Sequence, residues 1–164
     1  MTNPRKVVFL CAGNTCRSPL AEALARRQFG ARGVEFASAG LEAAAGEPAS
    51  EGSQLVAAEL GIDLAGHRSR PVTAALLADA QWVVTMTRGQ AAQLRRRFPG
   101  YSGRVGLLGL PGVDLSDGME AAGAEEVADP HGGSPDAYRR MADQVERLLG
   151  TWRAAFASPA GEEP

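Results

Sequence analysis

Cysteine is scarce in this chain. Two residues in 164, Cys11 and Cys16, are too few for the disulfide framework of a secreted scaffold of this size. Histidine is equally rare: His67 and His131 are the only two, and no usual spacing completes a four-ligand zinc site from them and the cysteines. No apolar run reaches the ~18 residues that would cross a bilayer, and Val7–Ala12 is too short for the core of a secretory leader. The formal net charge is only −2, so nothing draws the chain in general to nucleic acid or to an anionic membrane. Lysine is nearly absent, and aromatic residues make up 5%. No G-x-x-x-x-G-K-[ST] segment occurs, which excludes the phosphate loop of nucleotide triphosphatases. These absences point to a reducing cytoplasm with both thiols free, no metal, no cofactor, and no nucleic-acid or membrane partner. They leave the oligomeric state open.

Apolar residues at 45% and charged residues at 22% are ordinary for a globular chain, and the length suits one domain with one sizeable core. Short valine-rich runs at Arg5–Cys11, Val34–Ser38, Trp82–Met86 and Arg104–Leu108 are expected as strands. Between them lie helical patterns from Ser18 to Phe29, over Ser50–Leu60, Thr73–Ala78 and Gln90–Phe98. Gly109–Ala128, rich in glycine and acid, is expected as a loop. The clearest helix is the last: Tyr138, Met141, Val145, Leu148, Leu149, Trp152 and Phe156 recur at steps of three and four. Strands alternating with helices imply βαβ units, a parallel sheet and helices on both faces. The expected domain is 1–156, with a flexible tail over 157–164.

In such a sheet ligands bind beyond the carboxyl ends of the strands, near the point where the strand order reverses. The segment Cys11–Ser18, "CAGNTCRS", follows the first strand and so falls in that place. Gly13 turns the chain, and a helix begins near Ser18. Inward amides and the positive end of the helix would make a nest for an anion. Arg17 adds a planar fork that matches two oxygens of a tetrahedral oxyanion. A thiol at the base of that cradle is expected as a reactive thiolate, suited to phosphoryl transfer. From the residues alone a plainer alternative stays open, in which Cys11 is a buried strand end, Arg17 a surface charge and Gly13 a turn.

"CAGNTCRSPLAE", with "SAG" at Ser38–Gly40 and "DPHGGS" at Asp129–Ser134, resembles the signature of the low-molecular-weight protein phosphatases. The resemblance runs from Val7 to about Leu149. It implies an α/β, single-domain, four-stranded parallel sheet and a metal-free mechanism through a phosphocysteine, on phosphorylated proteins. It also implies roles at matching positions. Cys11 would be the nucleophile and Arg17 the phosphate clamp, within a loop made of Ala12, Gly13, Asn14, Thr15, Cys16 and Ser18. Ser18 would donate a hydrogen bond to the thiolate, Asn14 would brace the loop through Ser38, and Asp129 would act as general acid and then as base. His67 lacks a motif and is expected in a structural or solvated role. Asp114, Asp117, Glu125 and Glu126 have no distinguishing context. Cys16 is either the family's reversible oxidation partner for Cys11 or a small buried residue. Arg95–Arg97 is expected as a solvated helix face.

Two features bear on which phosphorylated residue is taken. Tyrosine-directed members usually carry a bulky aliphatic residue where Thr15 stands and aromatics around the cleft, yet "LEAAAGEP" at Leu41–Pro48 has none. His131 stands where an aromatic usually follows Asp-Pro, and it is counted with Ser38 as a supporting residue. Threonine at this place resembles the branch that acts on protein phosphoarginine. That branch also tends to keep an aromatic at the His131 position. The expectation is therefore phosphoarginine, with phosphotyrosine as the alternative. Arsenate reduction ranks behind both, because it needs cysteines beyond Cys16 to relay the disulfide.

Overall fold

The computed structural model describes residues 5–30, 33–118 and 123–157. Four parallel strands form the sheet: β1 (Arg5–Cys11), β2 (Val34–Gly40), β3 (Trp82–Thr85) and β4 (Arg104–Leu107), in the order β2-β1-β3-β4. Along β1, alternate side chains enter opposite layers, as the pleat requires. Val7, Phe9 and Cys11 face one core, and Val8 and Leu10 the other. Both layers are apolar, which is why β1 reads as an unbroken apolar run and not as an alternating one.

The first layer holds α1 (Arg17–Phe29), α2 (Glu51–Glu59), α5 (Pro135–Gly150) and α6 (Arg153–Ala157). The second holds α3 (Ala74–Leu77) and α4 (Arg88–Arg97). Aromatics are few, but four of the five phenylalanines or their neighbours meet in the first layer. Phe9, Phe29, Phe36 and Phe156 pack with ring centroids 5.5–6.3 Å apart. Trp152 stands edge-on to Trp82 at 4.9 Å and donates its indole N–H to the Leu108 carbonyl. Such ring pairs add ~0.5–1.5 kcal/mol each beyond the area they bury.

The expected elements are all present, with shifted ends. β2 runs on to Gly40, because the chain there still pairs with Cys11. Helix α4 starts at Arg88, two residues early, since Thr87 and Gln90 form a capping box. Ser18 is not the cap of α1. Cys16 occupies that position without a side-chain capping bond, and the Ser18 hydroxyl is used elsewhere. The expected single last helix is two. It breaks at Thr151, after Gly150, where the threonine hydroxyl takes the Leu148 carbonyl that the helix would otherwise use. Ala157, expected to open a tail, closes α6, and 158–164 lie outside the described residues. So do residues 119–122 of the expected loop.

The sheet order places β1 beside both the strand that follows it and β3, so the chain reverses direction of travel at the carboxyl end of β1. Cys11 is the last residue of β1. Gly40, its partner at the end of β2, is required there: a Cβ would lie 2.6 Å from the Ala12 carbonyl oxygen and 3.0 Å from the Asn14 nitrogen.

Candidate active site

Between Cys11 and Arg17 most of the backbone carbonyls are taken from outside. Those of Cys11 and Ala12 accept from Leu41 and Glu42 N–H, at 2.9 and 2.8 Å. The Asn14 carbonyl lies 2.7 Å from His67 Nε2, which must be the protonated nitrogen because a carbonyl only accepts. Thr15 O accepts from Ser50 N–H at 2.9 Å, and Cys16 O from the Ser53 hydroxyl at 3.1 Å. In a planar trans peptide the carbonyl and the next amide point opposite ways. Carbonyls held outward therefore turn the following amides inward, which makes a cup of donors. Helix α1 opens on that cup with no acidic residue in its first turn to offset its positive end.

Asn14 sets the bend. It has φ 56°, is fully buried, and donates from Nδ2 to Ser18 Oγ at 2.8 Å and Ser38 Oγ at 3.0 Å. Its Oδ1 accepts from Arg70 N–H at 3.1 Å. With both Asn14 Nδ2 hydrogens in use, the Ser18 hydroxyl accepts from Asn14 and is left to donate to Cys11 Sγ, 2.9 Å away. Arg17, 4% exposed, donates from Nη1 to the Val127 carbonyl at 2.9 Å. Its Nη2 lies 3.8 Å from Asp129 Oδ2, and its buried Nε has no hydrogen-bond partner. Such an orphan donor costs ~1–3 kcal/mol, and an oxyanion in the cup would satisfy it. Asp129 is half exposed at the rim, where its Oδ1 accepts from His131 N–H at 3.0 Å.

A cavity of about 200 Å³ joins these groups, lined by Cys11, Gly13, Thr15, Cys16, Arg17, Asp129 and His131. A larger hollow near Leu77, Phe98 and Tyr101, about 500 Å³, holds no thiol and no carboxylate. Chemistry, not size, marks the site.

Residues 6–159 match the family of the low molecular weight phosphotyrosine protein phosphatases. The chain belongs to that family. By membership this enzyme is a phosphatase acting on phosphorylated residues. It is 37% identical over 146 residues to a protein-arginine-phosphatase of Geobacillus stearothermophilus, an alignment covering 89% of this chain and 92% of the relative. It is 30% identical to the low molecular weight protein-tyrosine-phosphatase Etp of Escherichia coli K12, over 89% and 90% of the two chains. The solved YwlE arginine phosphatase from G. stearothermophilus superposes with a TM-score of 0.77 at 34% identity, covering 90% of each chain.

The phosphatase brings together all the expected loop residues, with Ser38 and Asp129. Cys16 takes neither exposed nor disulfide-bonded form here. Both thiols are free and buried, and Cys16 Sγ contacts Ser50 Oγ at 3.3 Å and the Tyr138 hydroxyl at 3.7 Å. Burial raises the Tyr138 phenol above its ordinary value, and the contact with Cys16 adds to that. Three of the acids without distinguishing context make contacts away from this cavity. Asp114 accepts from Val105 and Ser116 N–H, Glu126 pairs with Arg88, and Glu125 pairs with Arg147. His67, Arg70, Ser50 and Tyr138 also hold the loop. Each reaches it from tens of residues away, without any local motif. No helix among the described residues is long and apolar enough to cross a membrane.

Proposed function

We propose that this phosphatase removes phosphate from arginine side chains of cytoplasmic proteins through a phosphocysteine. The observation that carries the reading is Thr15 lining one small cavity with Cys11, Arg17 and Asp129. A threonine hydroxyl there favours a polar guanidinium plane over a phenol ring. The similarity to a protein-arginine-phosphatase supports the same choice.

The steps follow from the geometry. Inward amides and Arg17 take the phosphoryl oxygens, with Nε gaining the acceptor it lacks. Cys11 Sγ, supported by the Ser18 hydroxyl, attacks phosphorus as the P–N bond breaks, and the Asp129 carboxyl protonates the departing guanidine nitrogen. The carboxylate left on Asp129 then takes a proton from water as its oxygen attacks phosphorus. The S–P bond breaks, releasing orthophosphate and returning the thiolate. Nothing in these steps calls for a metal.

Phosphotyrosine is the second reading, favoured by the similarity to Etp. Paired kinetics on phosphoarginine and phosphotyrosine peptides decide between them. We expect the higher kcat/KM on phosphoarginine, loss of both activities by at least about three orders of magnitude in Cys11→Ser, and a shift toward phosphotyrosine of roughly tenfold in Thr15→Ile. A Thr15→Ile enzyme with unchanged preference would remove the argument from Thr15.

A further inference from the structure

His131 is the one residue lining the cavity whose ordinary proton equilibrium, near ~6.5, falls inside the physiological range and which has no part in the proposed chemistry. It is exposed, and its backbone N–H is fixed by Asp129 Oδ1 at 3.0 Å. The other titratable or charged groups lining the same space are Cys11, Cys16, Arg17 and Asp129. Asp129 lies two residues before it in sequence, while Cys11 ends β1, Cys16 lies in the loop and Arg17 opens α1.

A side chain that places its phosphorus at Cys11 enters the same cavity that His131 lines. A phosphorylated guanidine carries a positively polarised plane next to phosphorus; a phenol ring carries a negative π-face. An imidazolium at the mouth repels the first and attracts the second, whereas a neutral imidazole offers both a flat, uncharged wall.

We infer that His131 is a specificity residue whose protonation sets which phosphorylated side chain the cavity accepts, phosphoarginine being favoured as pH rises and phosphotyrosine as it falls. This rests on the phosphoryl-transfer reading above and adds a pH-dependent choice to it.

The test is the ratio of kcat/KM for a phosphoarginine peptide to that for a phosphotyrosine peptide, followed across pH in wild type, His131→Phe and His131→Gln. Groups that act on both substrates cancel in the ratio. The peptides' own ionisations recur unchanged in the variants, so the wild-type ratio is divided by the variant ratio. The quotient should rise roughly five- to tenfold between pH ~5.5 and ~8 along a single-proton curve. A flat quotient for either variant overturns the inference. A wild type that prefers phosphotyrosine at every pH, with the quotient still rising, overturns the arginine reading and leaves the role of His131 standing. Turnover of neither peptide overturns both.

Discussion

Asn14 does three things with one side chain at a φ of 56°, a value that non-glycine residues seldom adopt. It orients the Ser18 hydroxyl, holds Ser38 and accepts from the Arg70 amide. Asn14→Ala loses all three bonds and keeps a Cβ at positive φ, so we expect ~2–4 kcal/mol less stability by urea unfolding. Asn14→Gly loses the same bonds without the Cβ penalty and should be ~1–2 kcal/mol less damaging than alanine. Equal losses would mean that the left-handed bend carries no strain. At this scale Cys11, Arg17 and Asp129 could be read from the sequence because the first two lie six positions apart in a loop with a signature, and the third falls in a segment, "DPHGGS", that matches the family's general acid. His67 could not. Its hydrogen bond to the Asn14 carbonyl spans 53 residues, and only the folded chain brings the two together.

The second half of the loop is held by helix termini. Ser50 caps α2 and donates its N–H to Thr15, Ser53 reaches Cys16 O, and Tyr138 of α5 touches Cys16 Sγ. Where the two helices meet, Gly52 faces the Tyr138 ring so closely that a Cβ would sit 2.4 Å from its carbons. In an exposed helix Gly→Ala gains up to ~1 kcal/mol. Here the clash is against a buried ring, so Gly52→Ala should instead lose ~1–3 kcal/mol. A lowered urea midpoint, with a change in Cys16 accessibility to a thiol reagent, would register it; a stabilised variant would show that the ring moves freely. The helices themselves were legible from their three- and four-residue spacing, and the strands from their apolar runs. The break at Thr151 was not, because Leu148, Trp152 and Phe156 keep helical spacing across it. The competition for the Leu148 carbonyl is invisible in a pattern of apolar residues.

Across the whole molecule the ionisable surface fixes where stability is lost. Hydrogen bonds from Arg139 hold Glu59 below the ordinary 4.5, those from Gln144 and Arg147 do so for Glu125, and Lys6 holds Asp79 below 3.8. A carboxyl lowered in the folded state adds stability above its ordinary value, and that contribution fades as pH falls through the folded value. Burial, with the charge of Asp114, raises the Tyr101 phenol above 10.0, and burial likewise raises Tyr138. Their contribution is complete below the ordinary value and fades as pH rises beyond it. For these groups we expect a urea midpoint that is level between pH ~5 and ~9.5 and declines on both sides. The exposed ion pairs contribute little each, so the acid limb should be shallow. A midpoint that falls steadily from pH ~8 to ~6 would place the controlling group elsewhere. The outward-tied carbonyls of the loop carry one more consequence. A cup shaped before anything enters it cannot distinguish an arriving phosphoryl group from the free orthophosphate that each turnover leaves behind. The enzyme's own product competes for the seat, and the phosphate concentration around it acts as a brake on how fast it works.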